Sequence, residues 1–300
     1  MKRSSKTFAS ILLASALSMG LSSGNQAEAW EAATTHAGLT EVSALSSDLH
    51  ARLSQQFGAE LGLYTQLTVP EADAPNLFTI LRRLNPTHGY VPDARGQMSA
   101  MSWIVAGSVV ADVPVEIAGH HFYDPRTGLG LSSSTSLGLA RSAGRHVSGA
   151  GSVLRSGGEP AKLWWKSPAN ALGYEGFLAQ FRKAVASAGS YERNRHLAGS
   201  LISAGAMLHV LQDMGSPSHV RDDLGAHHDR VGTDLSDLGS RFERVAALAF
   251  GRLGIPRSAK APELASLADH FSNTERNGLA DITERGYFSR HTLPRSAKVK

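Results

Sequence analysis

The stretch Leu197-Ala-Gly-Ser-Leu-Ile-Ser-Ala-Gly-Ala-Met-Leu-His209-Val-Leu-Gln-Asp213-Met-Gly-Ser-Pro217-Ser-His219 decides how this chain is read. Its apolar spacing is helical, and side chains four apart on a helix project from one face. His209 and Asp213 therefore point the same way from within an apolar run. An apolar helix interior is an expensive place for both groups unless something compensates them, and a metal ion would do so. A lone His-x-x-x-Asp pair occurs routinely without metal, so the weight falls on what surrounds it. Ser216-Pro217 then punctuates the helix: serine is a good N-cap and proline is tolerated at a first helical position, so His219 is expected to open a second helix facing the same pocket.

Working outward, helical periodicity dominates. Leu39, Val42, Leu45, Leu49 and Leu53 predict a first helix from His36 onward. Phe78 to Leu84 reads as a short helix closed by Asn85-Pro86, and Met98 to Val110 as a buried apolar segment ending at Ala111-Asp112-Val113-Pro114. Ala171 to His196 and Leu197 to Met214 are helical in spacing, with Gly189-Ser190 as a join. Phe242 to Leu253 and Pro262 to Phe271 supply two more helices. Strand signals are scarce, and no internal repeat recurs at a fixed period. Residues 126–160 are rich in Gly and Ser and are expected to form a surface excursion. Trp164-Trp165 follow it; the core is their expected place, with a lipid interface as the alternative. The expected fold class is all-α, in a single multi-helix domain over residues 30–300.

Residues 1–29 have the form of an export signal: Lys2, Arg3 and Lys6, an apolar stretch from Phe8 to Leu21, then Ala27-Glu28-Ala29 as a cleavage site. A secreted or periplasmic protein beginning at Trp30 is the expectation. The chain has no cysteine, so neither a lipid anchor on that residue nor a disulfide framework is available. No later run is long enough to span a bilayer. Without Lys2, Arg3, Lys6 and Glu28, the net charge of +4 falls to about +2. So mild a balance does not demand nucleic acid as a partner.

Further donors lie in Gly119-His120-His121-Phe122-Tyr123-Asp124-Pro125, at Asp112 nine residues before His121, at Trp30 with His36, and at Glu243. They offer imidazoles and carboxylates and no thiols, which suits a hydrolytic zinc cluster. With these pieces in place the chain resembles the zinc-dependent phospholipase C family of bacteria, within the superfamily shared with the single-strand-specific zinc nucleases. The resemblance rests on a Trp directly after an Ala-x-Ala site, His-Phe-Tyr-Asp-Pro at His121, and His-x-x-x-Asp-x-x-x-x-Pro-x-His at His209, Asp213, Pro217 and His219, in the family's order. It spans Trp30 to about Ala247.

The resemblance implies an all-helical domain of the phospholipase C and nuclease type binding two or three Zn2+ ions. Asp112, His121, His209 and Asp213 would form one site. Trp30, through its amino group and carbonyl, would join His36 and a bridging Asp213 at a second, and His219 with Glu243 would hold the third. Where the family has a histidine four residues before that glutamate, this chain has Gly239; His227 or His228 is the candidate replacement. The gap from Asp112 to His121 is also shorter than in the best-known members. The implied activity is phosphodiester hydrolysis by zinc-activated water, with Asp112 as candidate general base and Glu243 as the alternative. The expected enzyme is a monomeric phospholipase C working on phospholipid at a membrane surface. A single-strand nuclease is the alternative, and an exported zinc-binding protein without catalysis is a third reading.

Overall fold

The computed structural model describes residues 32–84, 90–113, 115–132, 158–223, 241–253 and 263–287. It is mostly helical, as expected for an all-α chain, and among the described residues the strands are two short ones. The contacts divide it into two compact units, and one of the points where the chain passes between them falls inside a helix, between His209 and Val210.

The first unit takes in His36–Pro114 and Trp165–His209. A π-helical turn, Ala32–His36, leads into α1 (Ala37–Ser46), and α2 follows (Leu49–Phe57). The first helix therefore begins where the sequence placed it but breaks at Ser47-Asp48. Its buried face is also not the predicted one. Ala37, Thr40 and Ala44 are covered, whereas Val42 and Leu45 are 36% and 52% exposed. Small residues face inward because α1 packs closely against α4 (Ala100–Val110), where Leu-sized side chains would hold the two apart. Gly58 ends α2 in the left-handed region at φ 60°, which glycine adopts without strain.

Strands β1 (Gln66–Thr68) and β2 (Gln97–Ser99) pair antiparallel, flanking α3 (Pro75–Leu84) in the chain. Ser99 then caps α4 by accepting a hydrogen bond from the Ser102 N–H. Helix α4 is buried on nearly every face, the condition its unbroken apolar sequence requires. Trp103 donates its indole N–H to the Leu67 carbonyl at 3.0 Å, tying α4 to β1. Phe78 and Leu81 of α3 are fully buried beside it, each contributing roughly 1.5–3 kcal/mol by leaving water.

Helices α6 (Tyr174–Ala186) and α7 (Ser190–Asp213) follow α5 (Ala161–Trp164) in the chain. The long helix α7 runs unbroken across the predicted division at His196 and Leu197; the join lies just before Ser190. Up to His209 it packs on α4 with backbones in contact. A methyl group on Gly205 would overlap the Ile104 carbonyl oxygen, and one on Gly107 would overlap the Ile202 carbonyl oxygen.

The second unit takes in the turn up to Thr35, Val115–Trp164 and Val210 onward, with α5, α8 (Arg241–Leu253), α9 (Leu267–Phe271) and α10 (Leu279–Gly286). Helix α9 is shorter than the predicted span, and α10 carried no expectation. The buried Asp281 carboxylate ties α10 to the end of α9 by accepting from the Ser272 hydroxyl and the Asn273 and Gly278 N–H groups. Arg221 donates to the carbonyls of Tyr287 and Glu284. Residues 214–222 form successive turns, so the helix expected to open after Ser216 does not form. Trp164 and Trp165 are both buried, the core placement and not the interfacial one. Of the excursion, residues 133–157 lie outside the described residues. No described helix is long and apolar enough to cross a membrane.

Candidate metal centre

Helix α7 carries His209 and, one turn on, its last residue Asp213, and each is the centre of a cluster within its own unit. His209 is fully buried. Its Nδ1 lies 2.7 Å from the Ser108 carbonyl oxygen, and its Nε2 lies 3.2 Å from Oδ2 of Asp112. The His36 ring stacks on it with centroids 3.8 Å apart and planes at 17°. One helix, α4, thus supplies both the carbonyl that orients His209 and, two residues past its end, the carboxylate that faces it. The Asp112 side chain is 19% exposed, while His36 and His209 see no solvent.

Around Asp213, the His121 Nδ1 lies 3.0 Å from Oδ2, and the His219 Nε2 lies 3.8 Å from Oδ1 and 3.5 Å from Oε1 of Glu243. His219 Nδ1 is 2.7 Å from the His121 carbonyl, and its ring stacks on Phe122 at 4.5 Å. Glu243, on α8, accepts a hydrogen bond from the Ser216 hydroxyl at 2.8 Å, and Ser216 also lies 3.0 Å from the Ser218 hydroxyl. His121, Asp213, His219, Glu243, Ser216 and Ser218 are all buried.

The donor chemistry fits a cation. A carbonyl oxygen only accepts, so Nδ1 of both His209 and His219 carries hydrogen, and the neutral ring turns a lone pair on Nε2 toward carboxylate oxygens. Acceptors facing one another repel unless a proton or a metal ion lies between them. Histidine ligands with the other ring N–H anchored on a carbonyl are the usual arrangement around a bound metal. Helix polarity adds to the case. Asp112 follows the C-terminal end of α4 and Asp213 terminates α7, both positions where the helix dipole disfavours an anion. Histidine and aspartate groups close enough to hold a metal ion occur among the described residues, nearly all of them buried. With no metal, burial acts to lower the His219 pKa, and the Asp213 and Glu243 carboxylates reverse this and raise it.

Of the sequence candidates, His36, Asp112 and His209 are brought together in the first unit, and His121, Asp213, His219 and Glu243 in the second. Trp30, His227, His228 and Gly239 lie outside the described residues. Ser216, read from sequence as a helix cap, serves instead as a hydrogen-bond donor to Glu243. Ser108 gave no sequence signal, because it acts through a backbone carbonyl that any residue possesses. His120 is turned to other partners: its Nδ1 accepts from the Glu159 N–H at 2.8 Å and its ring stacks on Trp164. Burial, and then the adjacent His121, hold its pKa below the ordinary histidine value. Asp124 braces the turn after His121, accepting from the Arg126 N–H and side chain.

No family model, curated protein or solved structure matches this chain.

Proposed function

We propose that this chain is an exported zinc-dependent phosphodiester hydrolase, a phospholipase C cleaving the head-group phosphodiester of phospholipids at a membrane surface. The observation that carries the reading is the pair of buried imidazoles, His209 and His219, each held by a backbone carbonyl so that Nε2 meets carboxylates. The resemblance of the His121, His209, Asp213 and His219 motifs to the zinc phospholipases supplies the substrate class. The residues that would hold zinc are His36, Asp112 and His209, and His121, Asp213, His219 and Glu243, with the amino terminus of Trp30 once a signal peptide is removed. Bound zinc would draw charge from the non-bridging phosphate oxygens and lower the pKa of water.

The chain's own residues do the rest. Ser108 and the His121 carbonyl fix the tautomer and tilt of His209 and His219, so their nitrogens need no reorganisation when a ligand arrives. Asp112 is the general base in this reading, because its carboxylate combines partial exposure with an anchored neighbour and can take a proton from an attacking water. Glu243, buried and held by Ser216, suits a ligand role better than proton exchange with solvent.

The test is zinc analysis of the purified secreted protein alongside hydrolysis assays on phosphatidylcholine vesicles, single-stranded DNA and a chromogenic phosphodiester. Zinc at two or more per chain with release of the phospholipid head group as its phosphate ester is the expected result. Cleavage of DNA alone would replace the lipid substrate by a nucleic acid. Zinc without hydrolysis would make this a binding protein, and absence of zinc would end the proposal. Amino-terminal sequencing of the same material is expected to begin at Trp30.

A further inference from the structure

We propose that His120, which is no zinc ligand in the reading above, is the positioning residue that sets His121. This rests on the metal centre of the proposed function. His121 has two tasks in that centre. Its ring faces Asp213 at 3.0 Å, and its carbonyl fixes the ring of His219 at 2.7 Å. Where the backbone of residues 120–122 sits therefore decides the placement of two imidazoles.

That backbone is clamped from both sides. The Tyr123 N–H donates to the His219 carbonyl at 3.0 Å, and on the other side the Phe122 carbonyl accepts from the Ala161 N–H at 3.0 Å. Gly158 lies so close to the Gly119 carbonyl that a methyl group there would overlap it. Between these ties, His120 supplies the side-chain part of the clamp. Its Nδ1 accepts from the Glu159 N–H at 2.8 Å, and its ring lies on the Trp164 indole with centroids 3.9 Å apart and planes at 11°. Trp164 is buried at the end of α5, so it is a fixed platform. The hydrogen bond fixes the in-plane direction of the ring and the stack fixes its tilt, and together they hold the residue next to the ligand. An aromatic ring with an in-plane acceptor at this position is the chemistry only histidine offers: Asn keeps the acceptor without the ring, and Phe the ring without the acceptor.

The experiment is titration of the full-length mature protein with cobalt(II), whose visible absorption reports ligand geometry, and with zinc against a chelator of known affinity. Wild type is compared with His120→Ala, His120→Asn and His120→Phe, and circular dichroism establishes that each variant is folded. His120→Ala is expected to weaken zinc binding roughly ten- to a hundredfold, as loss of an outer support does, and to change the cobalt spectrum. His120→Asn and His120→Phe are each expected to restore part of both. If His120→Ala does not fold, the Asn and Phe variants still carry the comparison. Variants that match wild type in zinc affinity and cobalt spectrum, even with lowered stability, would overturn the inference. Wild type that binds neither metal would overturn it along with the proposed function. Wild type that binds metal and hydrolyses nothing would overturn only the function.

Discussion

His121, His209 and His219 each have a ring nitrogen set against a backbone carbonyl or a carboxylate, which makes single-residue changes informative. Asp213 faces two histidines, His121 and His219, from one carboxylate. Asp213→Ala is expected to cost more zinc affinity than the roughly 10–100-fold typical of a lost outer support, read by competition with a chelator. Ser216→Ala removes the hydroxyl donated to the buried Glu243. A hydrogen bond to a charged group stabilises by about 1.5–3 kcal/mol, so urea unfolding should show a loss of that order, and an unchanged midpoint would mean that Ser216 is incidental. Asp213 was readable in the sequence because its spacing from His209 is a local helical property. Ser216 was misread, since a serine before a proline is an ordinary helix start, and its actual partner lies 27 residues away.

At the scale of the element, α7 decides most. The reciprocal glycines, Gly107 on α4 and Gly205 on α7, let the two backbones touch, and His209 stands one turn beyond Gly205 with its Nδ1 on Ser108, the neighbour of Gly107. Gly205→Ala is expected to force the helices apart, destabilising by about 1–3 kcal/mol in denaturant unfolding, and to loosen the His209 anchor. The opposite end of α7 has a pH response. His196 lies with Nδ1 2.8 Å from Gln180 Oε1 and Nε2 3.5 Å from Glu192. Burial, then Arg195 and Lys183, hold its pKa below the ordinary value of 6.5, with Glu192 opposing. The unfolded chain then takes up a proton before the folded one does, so this contribution to stability is present above pH 6.5 and declines as pH falls below it. His196→Gln is expected to flatten the dependence of unfolding free energy on pH between about 7 and 5 relative to wild type. An identical slope would refute the assignment.

For the whole molecule, the proposed ligands are drawn from positions 30 to 243, the chain has no cysteine to form a disulfide, and no described helix is long and apolar enough to cross a membrane. Metal bound by the folded form and not by the unfolded chain adds stability by mass action, about 2.7 kcal/mol at a hundredfold excess over the dissociation constant. For a protein of this size that corresponds to a rise in Tm of roughly 5–10 °C. Calorimetry before and after exhaustive chelation should show the drop, and restoring zinc should reverse it. A Tm indifferent to chelation would remove metal from the account.

The sequence by itself determined the helical class, the alignment of His209 with Asp213 on one face, and the donor types, because these follow from local periodicity and side-chain chemistry. The tertiary structure decided which carboxylate meets which imidazole, that α1 buries its alanines in place of its leucines, that Ser216 serves Glu243, and that the His120 ring stacks on Trp164. Those outcomes depend on backbone carbonyls and close approaches between segments far apart in the chain, which no spacing of residue types encodes.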